Sequence, residues 1–189
     1  MPELIEIINI LSRVTTVLFM CFVPLLLASY RLLDGASRNK SNFLSIIIFF
    51  AANTTMYGYK FLLMWLFGEE NNYQDLYLFC WFMGFTWFDL IAIRLLYIFH
   101  KKENLRIEKL GQFIAFSFMT LGLLQLTLYG EILITNSMKI FEEIYRFAIP
   151  VVNFITLSIC AFTIIFGLAK IHLQDKYPSQ HKRIKTWLP

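Results

Sequence analysis

Apolar runs divided by short polar stretches make up most of this chain. Five are long: 14–33 (VTTVLFMCFVPLLLASYRLL), 43–67 (FLSIIIFFAANTTMYGYKFLLMWLF), 76–99 (LYLFCWFMGFTWFDLIAIRLLYIF), 110–129 (LGQFIAFSFMTLGLLQLTLY) and 147–171 (FAIPVVNFITLSICAFTIIFGLAKI). At ~1.5 Å per residue, each covers a ~30 Å hydrocarbon core as a helix. None alternates with a period of two over about ten residues, as a membrane barrel strand must. The pattern predicts an all-α polytopic membrane helix bundle: five transmembrane helices within 1–171, then a basic tail at 172–189.

Composition agrees. Hydrophobic residues are 58% of the 189 and charged residues only 16%, against roughly 25% in a soluble domain. A soluble core in so short a chain has no room for five such windows. Cys21, Cys80 and Cys160 stand singly in three different runs, so neither a disulfide nor a metal site is expected.

The charges give a direction. Twelve of the seventeen basic residues fall in the 31–40 turn, the 100–109 turn, and the tail together with Lys170 just before it. The opposite set of loops carries Glu3, Glu6, the GEENNYQD stretch, Glu131, Glu142 and Glu143, with few cations. The positive-inside bias predicts an N-terminus outside and a C-terminus in the cytoplasm. The opening MPELIEIINILSR lacks a basic n-region, so it reads as uncleaved, either lying in the interface or extending the first span. Short loops and uncleaved spans fit a bacterial inner membrane.

Thr55-Met56-Tyr57-Gly58-Tyr59 has a superficial similarity to the T-V-G-Y-G of potassium filters. It has one glycine instead of two, bulky neighbours, and a place inside a single span, so a filter is excluded. At helical spacing Asn53, Tyr57, Lys60 and Met64 share one face, which should point into the bundle or a wet cavity. Asp89 lies near the bilayer midplane, where a charged Asp costs ~2.5–3.5 kcal/mol and cannot snorkel out. It must be protonated, paired or wetted. Asn53 is at nearly its depth and Lys60 roughly 10 Å further out, so a contact with either is geometrically open. Gln125 and Asn153 fall with Lys60 in the outer third, and these five are the candidate intramembrane site. The plain readings are an interhelical hydrogen bonder for Asn53, a structural clamp for Asp89, and snorkelling for Lys60 and Arg94.

Pro150 is placed near the start of the fifth span, after a short interfacial helix bearing Glu142, Glu143 and Arg146. Gly111, Ala115 and Gly122 form a small-residue stripe suited to close association. The aromatics of 77–88 read as an interfacial belt or a packing face.

Catalytic signatures are missing. LDGASRNKS (33–41) misses the spacing of lipid-head phosphotransferases by one residue, and no G-x-S-x-G, H-E-x-x-H or P-loop occurs. His100, His172 and His181 lie too near one edge to hold a haem, so no cofactor is expected. The chain is therefore expected to be a non-catalytic integral membrane subunit that anchors or senses for a partner. Lys101, Lys102, Lys182, Arg183 and Lys185 would contact that partner or anionic lipid. The alternative is a small homo-oligomeric channel or membrane-perturbing effector of defence or toxin type, with Asn53, Lys60 and Asp89 lining the path. A membrane enzyme using Asp89 or Glu142/Glu143 as acid and base is a third. The lipid bilayer, further copies of the chain or an unlike cytoplasmic subunit are the expected partners, and nucleic acid is not.

Overall fold

The computed structural model describes residues 37–67, 74–135 and 141–176, together with scattered positions between 10 and 27. All regular structure among the described residues is helical. The order is α1 (Ser37–Phe67), α2 (Gln74–Lys102), α3 (Lys109–Thr135) and α4 (Phe141–Lys176). These match the second to fifth expected spans, and all four are long and apolar enough to cross a membrane. The described positions between 10 and 27 are helical too, but most of the first expected span and the tail beyond Lys176 lie outside the described residues.

Each helix outruns its expected bounds at one end or both, because polar end turns continue the backbone pattern beyond the apolar run. The largest change is at α4. Glu142, Glu143 and Arg146 do not form a separate interfacial helix but belong to α4, so Pro150 sits inside the helix rather than in its first turn. There it removes one intrahelical hydrogen bond, a loss that membrane helices tolerate.

Successive helices run antiparallel, as cross-helix partners show: Ser41 meets His100 and Tyr59 meets Cys80 between α1 and α2. Thr86 meets Gln125 between α2 and α3, and Ser117 meets Thr156 between α3 and α4. Of the four, α3 is the most buried, and it packs on all the others. The described core centres on Ile46, Phe49, Leu96, Ile114, Phe118 and Ile164. From the N-terminal segment, Phe22 joins that core, and Phe19 stacks on Phe50 at 4.6 Å. Outward faces carry large apolar side chains such as Trp65 (79% exposed), Trp87 (64%) and Phe162 (65%). Water would penalise such a surface and hydrocarbon would not. The fold is compatible with an integral membrane protein.

Glycines at helix contacts set how closely the helices approach. A Cβ at Gly111 would fall 2.7 Å from Ser45 Oγ, so α3 rests directly on α1 there. Gly122 lies against Asp89 and Thr86 of α2. The stripe expected to serve association is thus consumed inside the chain. Gly84 gives the second close approach: a Cβ there would occupy the Tyr59 ring, which is held edge-on by Phe85 and Phe88 and donates its hydroxyl to Cys80 O at 2.7 Å. Gly84→Ala is expected to destabilise the bundle by about 1–3 kcal/mol in detergent unfolding, whereas Gly58→Ala, with open space around it, should be neutral or slightly stabilising.

Candidate intramembrane site

The filter-like stretch lies in the unbroken helix α1. Thr54 and Thr55 donate their hydroxyls to Phe50 O and Ala51 O, and Asn53 Nδ2 donates to Phe49 O, each at 2.9 Å. Its carbonyls serve the helix, and its Tyr59 serves helix packing. The interhelical bond expected of Asn53 is absent among the described residues; the amide turns back onto its own helix.

Asp89 stands at the middle of the 29-residue α2, with 1% of its surface exposed. Neither carboxyl oxygen has a hydrogen-bond partner among the described residues. Its Cβ and Oδ2 lie 3.6 Å from where a Gly122 Cβ would stand, so α3 closes one side without offering a donor. Such a group inside hydrocarbon is costly unless something polar comes to it.

Space for that exists. A cavity of about 180 Å³ opens beside Asp89, and Asn53, Lys60, Gln125 and Asn153 line it too. All five polar residues singled out from the sequence thus share one enclosure, contributed by all four helices. Gln125 is held by its Oε1, which accepts from Thr86 Oγ1 at 3.3 Å. Lys60 and Asp89 are the one basic and the one acidic side chain among the described lining residues, and they make no ion pair with each other. Met64, expected on the same face, is exposed and outside the lining.

Apart from Tyr57, which the spacing places on the Asn53 face, the rest of the wall is not legible in the sequence. Phe19, Tyr57, Trp81, Phe85 and Tyr145 surround the polar groups with aromatic rings. Tyr145 is set by the ring edge of Phe82 at 5.8 Å and by the indole of Trp81. By sequence Trp81 reads as part of a belt or of a packing face, because one aromatic in an aromatic run carries no rotational signal.

The cavity is one-sided. From Asp89 in one direction, its lining continues through Trp81 on α2, Lys60 on α1 and Tyr145 on α4, towards the end of the bundle where α1 ends and α2 begins. Going the other way, Ile46, Ala92, Leu96, Ile114, Cys160 and Ile164 fill the bundle with at most 1% exposure each. No described lining residue lies beyond them.

Below that plug a second polar group locks the far end. His100 Nδ1 lies 2.7 Å from Leu96 O, so its N–H donates there and leaves Nε2 to accept from Ser41 Oγ at 2.9 Å. Ser41 Oγ in turn accepts from the Glu108 N–H (3.2 Å), and Ser45 Oγ donates to Ser41 O. The chain turns here through Asn104 in the left-handed region (φ 50°), with Leu105 N–H on His100 O and Asn104 N–H on Lys101 O. That is a Schellman cap with asparagine in glycine's usual place. His100 is therefore a structural tie, a role that sequence reading missed because its partners lie 59 residues away.

The chain matches no family model, no curated protein and no solved structure. Its function therefore rests on the chemistry of the site itself. Lys101 and Lys102 are exposed at the end of α2, as is Arg94 two turns earlier, while Lys182, Arg183 and Lys185 lie outside the described residues. Among the described residues no cluster of three metal-ligating side chains occurs.

Proposed function

We propose that this protein is a non-catalytic sensing subunit of the bacterial cytoplasmic membrane. It admits a small ligand to the cavity beside Asp89 from the outer face. It reports occupancy to an unlike partner through the basic segments on the inner face, among them Lys101, Lys102 and the tail. The orientation rests on the distribution of Lys and Arg between the two sets of loops. The observation that carries the reading is the blind cavity: polar groups from all four helices converge inside one chain and end above a packed apolar plug. A conduction path needs polar or wetted lining through to the other side. This arrangement favours a binding site over a pore.

Native mass spectrometry of the protein extracted in mild detergent tests this. The expected result is a fixed stoichiometry with an unlike chain, lost when 177–189 are deleted and retained in Asp89→Asn. A closed ring of identical copies, with conductance that depends on Asp89, would replace the sensing role with the pore.

A further inference from the structure

The same cavity holds one carboxyl and one amine on different helices, and this pairing bears on the class of ligand. Resting on the sensing role proposed above, we infer that the ligand is a small zwitterion. Its ammonium binds Asp89 at the floor of the cavity, and its acidic group binds Lys60 nearer the mouth.

Four observations converge. First, Asp89 is buried, borders the cavity and has no hydrogen-bond partner on either oxygen among the described residues, so its carboxyl can accept from an ammonium that reaches the cavity floor. Second, Lys60, an exposed residue of the facing helix, borders the same cavity without reaching Asp89, which leaves a gap between an amine and a carboxyl. Lys60 lies seven residues further along α1 than Asn53, roughly 10 Å by helical rise, and its flexible stem can shorten that distance. Third, the charges select the guest. A simple amine would satisfy the buried Asp89 and gain nothing from Lys60, which is exposed, and a simple acid would meet Lys60 and leave Asp89 without a partner. A zwitterion satisfies both and leaves the occupied site neutral. Fourth, Trp81, Phe85 and Tyr57 present rings suited to an ammonium and a short methylene chain.

Size sets the upper limit. About 180 Å³ is a little more than the ~150 Å³ of an engineered cavity that holds benzene. The guest is therefore a short chain with its two charges apart, not adjacent as in glycine. Free ω-amino acids have this form, and so does the ethanolamine phosphate of a lipid headgroup.

Titration calorimetry on the purified full-length protein in detergent separates these cases. The probes are γ-aminobutyrate, ε-aminocaproate, glycine, glycerophosphoethanolamine, butylamine and butyrate. The expected result is that at least one of γ-aminobutyrate, ε-aminocaproate and glycerophosphoethanolamine binds roughly tenfold or more tightly than butylamine, butyrate and glycine, as one charge-assisted contact allows. Asp89→Asn should remove that binding. Lys60→Gln should erase the preference over butylamine and leave butylamine bound as before. Tighter binding of glycerophosphoethanolamine assigns the headgroup as the source, and tighter binding of the amino acids assigns a free metabolite. Butylamine binding as well as the zwitterions to the unaltered protein would overturn the zwitterion and leave a sensing site for cations. Heat from none of the probes would overturn the inference, while the partner stoichiometry above would still decide the sensing role.

Discussion

Replacing Asp89 with leucine is expected to make the bundle more resistant to unfolding while abolishing its response to ligand. The carboxyl is buried at mid-helix without a hydrogen-bond partner among the described residues, and insertion of a charged Asp at that depth costs ~2.5–3.5 kcal/mol. Leucine removes that cost, and the adjoining cavity accommodates its extra volume with little overpacking. A net gain of about 1–3 kcal/mol should appear in denaturant titration of the protein in mixed micelles. The sign carries the information. A residue that clamps helices together destabilises them when removed, whereas a residue kept for its ligand does not. A loss of stability in both Asp89→Leu and the near-isosteric Asp89→Asn would show that Asp89 holds the fold.

The opposite sign is expected at His100. Its ring fills a fully buried position and joins α1, α2 and the turn before α3 through Ser41. His100→Ala would remove the acceptor for the Ser41 hydroxyl, open a cavity and free the start of α3, which rests on Ser45 through Gly111. A cost of about 2–4 kcal/mol follows from the lost volume together with hydrogen bonds worth ~0.6–2 kcal/mol each in a membrane. His100→Gln, which can still offer an acceptor, should recover about half. Neither variant should alter ligand affinity in the protein that remains folded, because the apolar plug separates this tie from the cavity. Paired unfolding curves and binding isotherms check both expectations.

How far the sequence could be read follows from the same residues. Asp89, Asn53, Gln125 and Asn153 stand out because a polar side chain deep in an apolar run is expensive, and depth can be counted in residues from the ends. That logic finds the polar lining of the cavity from position alone, and it finds four of the helices to within a turn or two. It cannot orient the aromatics. A helix that is apolar all round offers no moment from which to tell an outward-facing, exposed Trp87 from a cavity-lining Trp81. Nor can it find contacts that depend on two distant segments meeting, such as Tyr59 over Gly84 or His100 on Ser41. Small residues mislead for a related reason. Gly111 and Gly122 do allow close approach, but their partners are Ser45 and Asp89 of the same chain.

The decisive question for the proposed sensing role is the side from which the cavity can be reached. In a background with Cys21, Cys80 and Cys160 replaced by alanine, Asn153→Cys places a single thiol on the cavity wall. A membrane-impermeant methanethiosulfonate is then applied to sealed right-side-out and inverted vesicles. The introduced thiol is expected to react from the side bearing residues 68–73 and to be shielded from the side bearing Lys101 and Lys102. Reaction from the Lys101 side would contradict a cavity that opens outward, as would a thiol that reacts from neither.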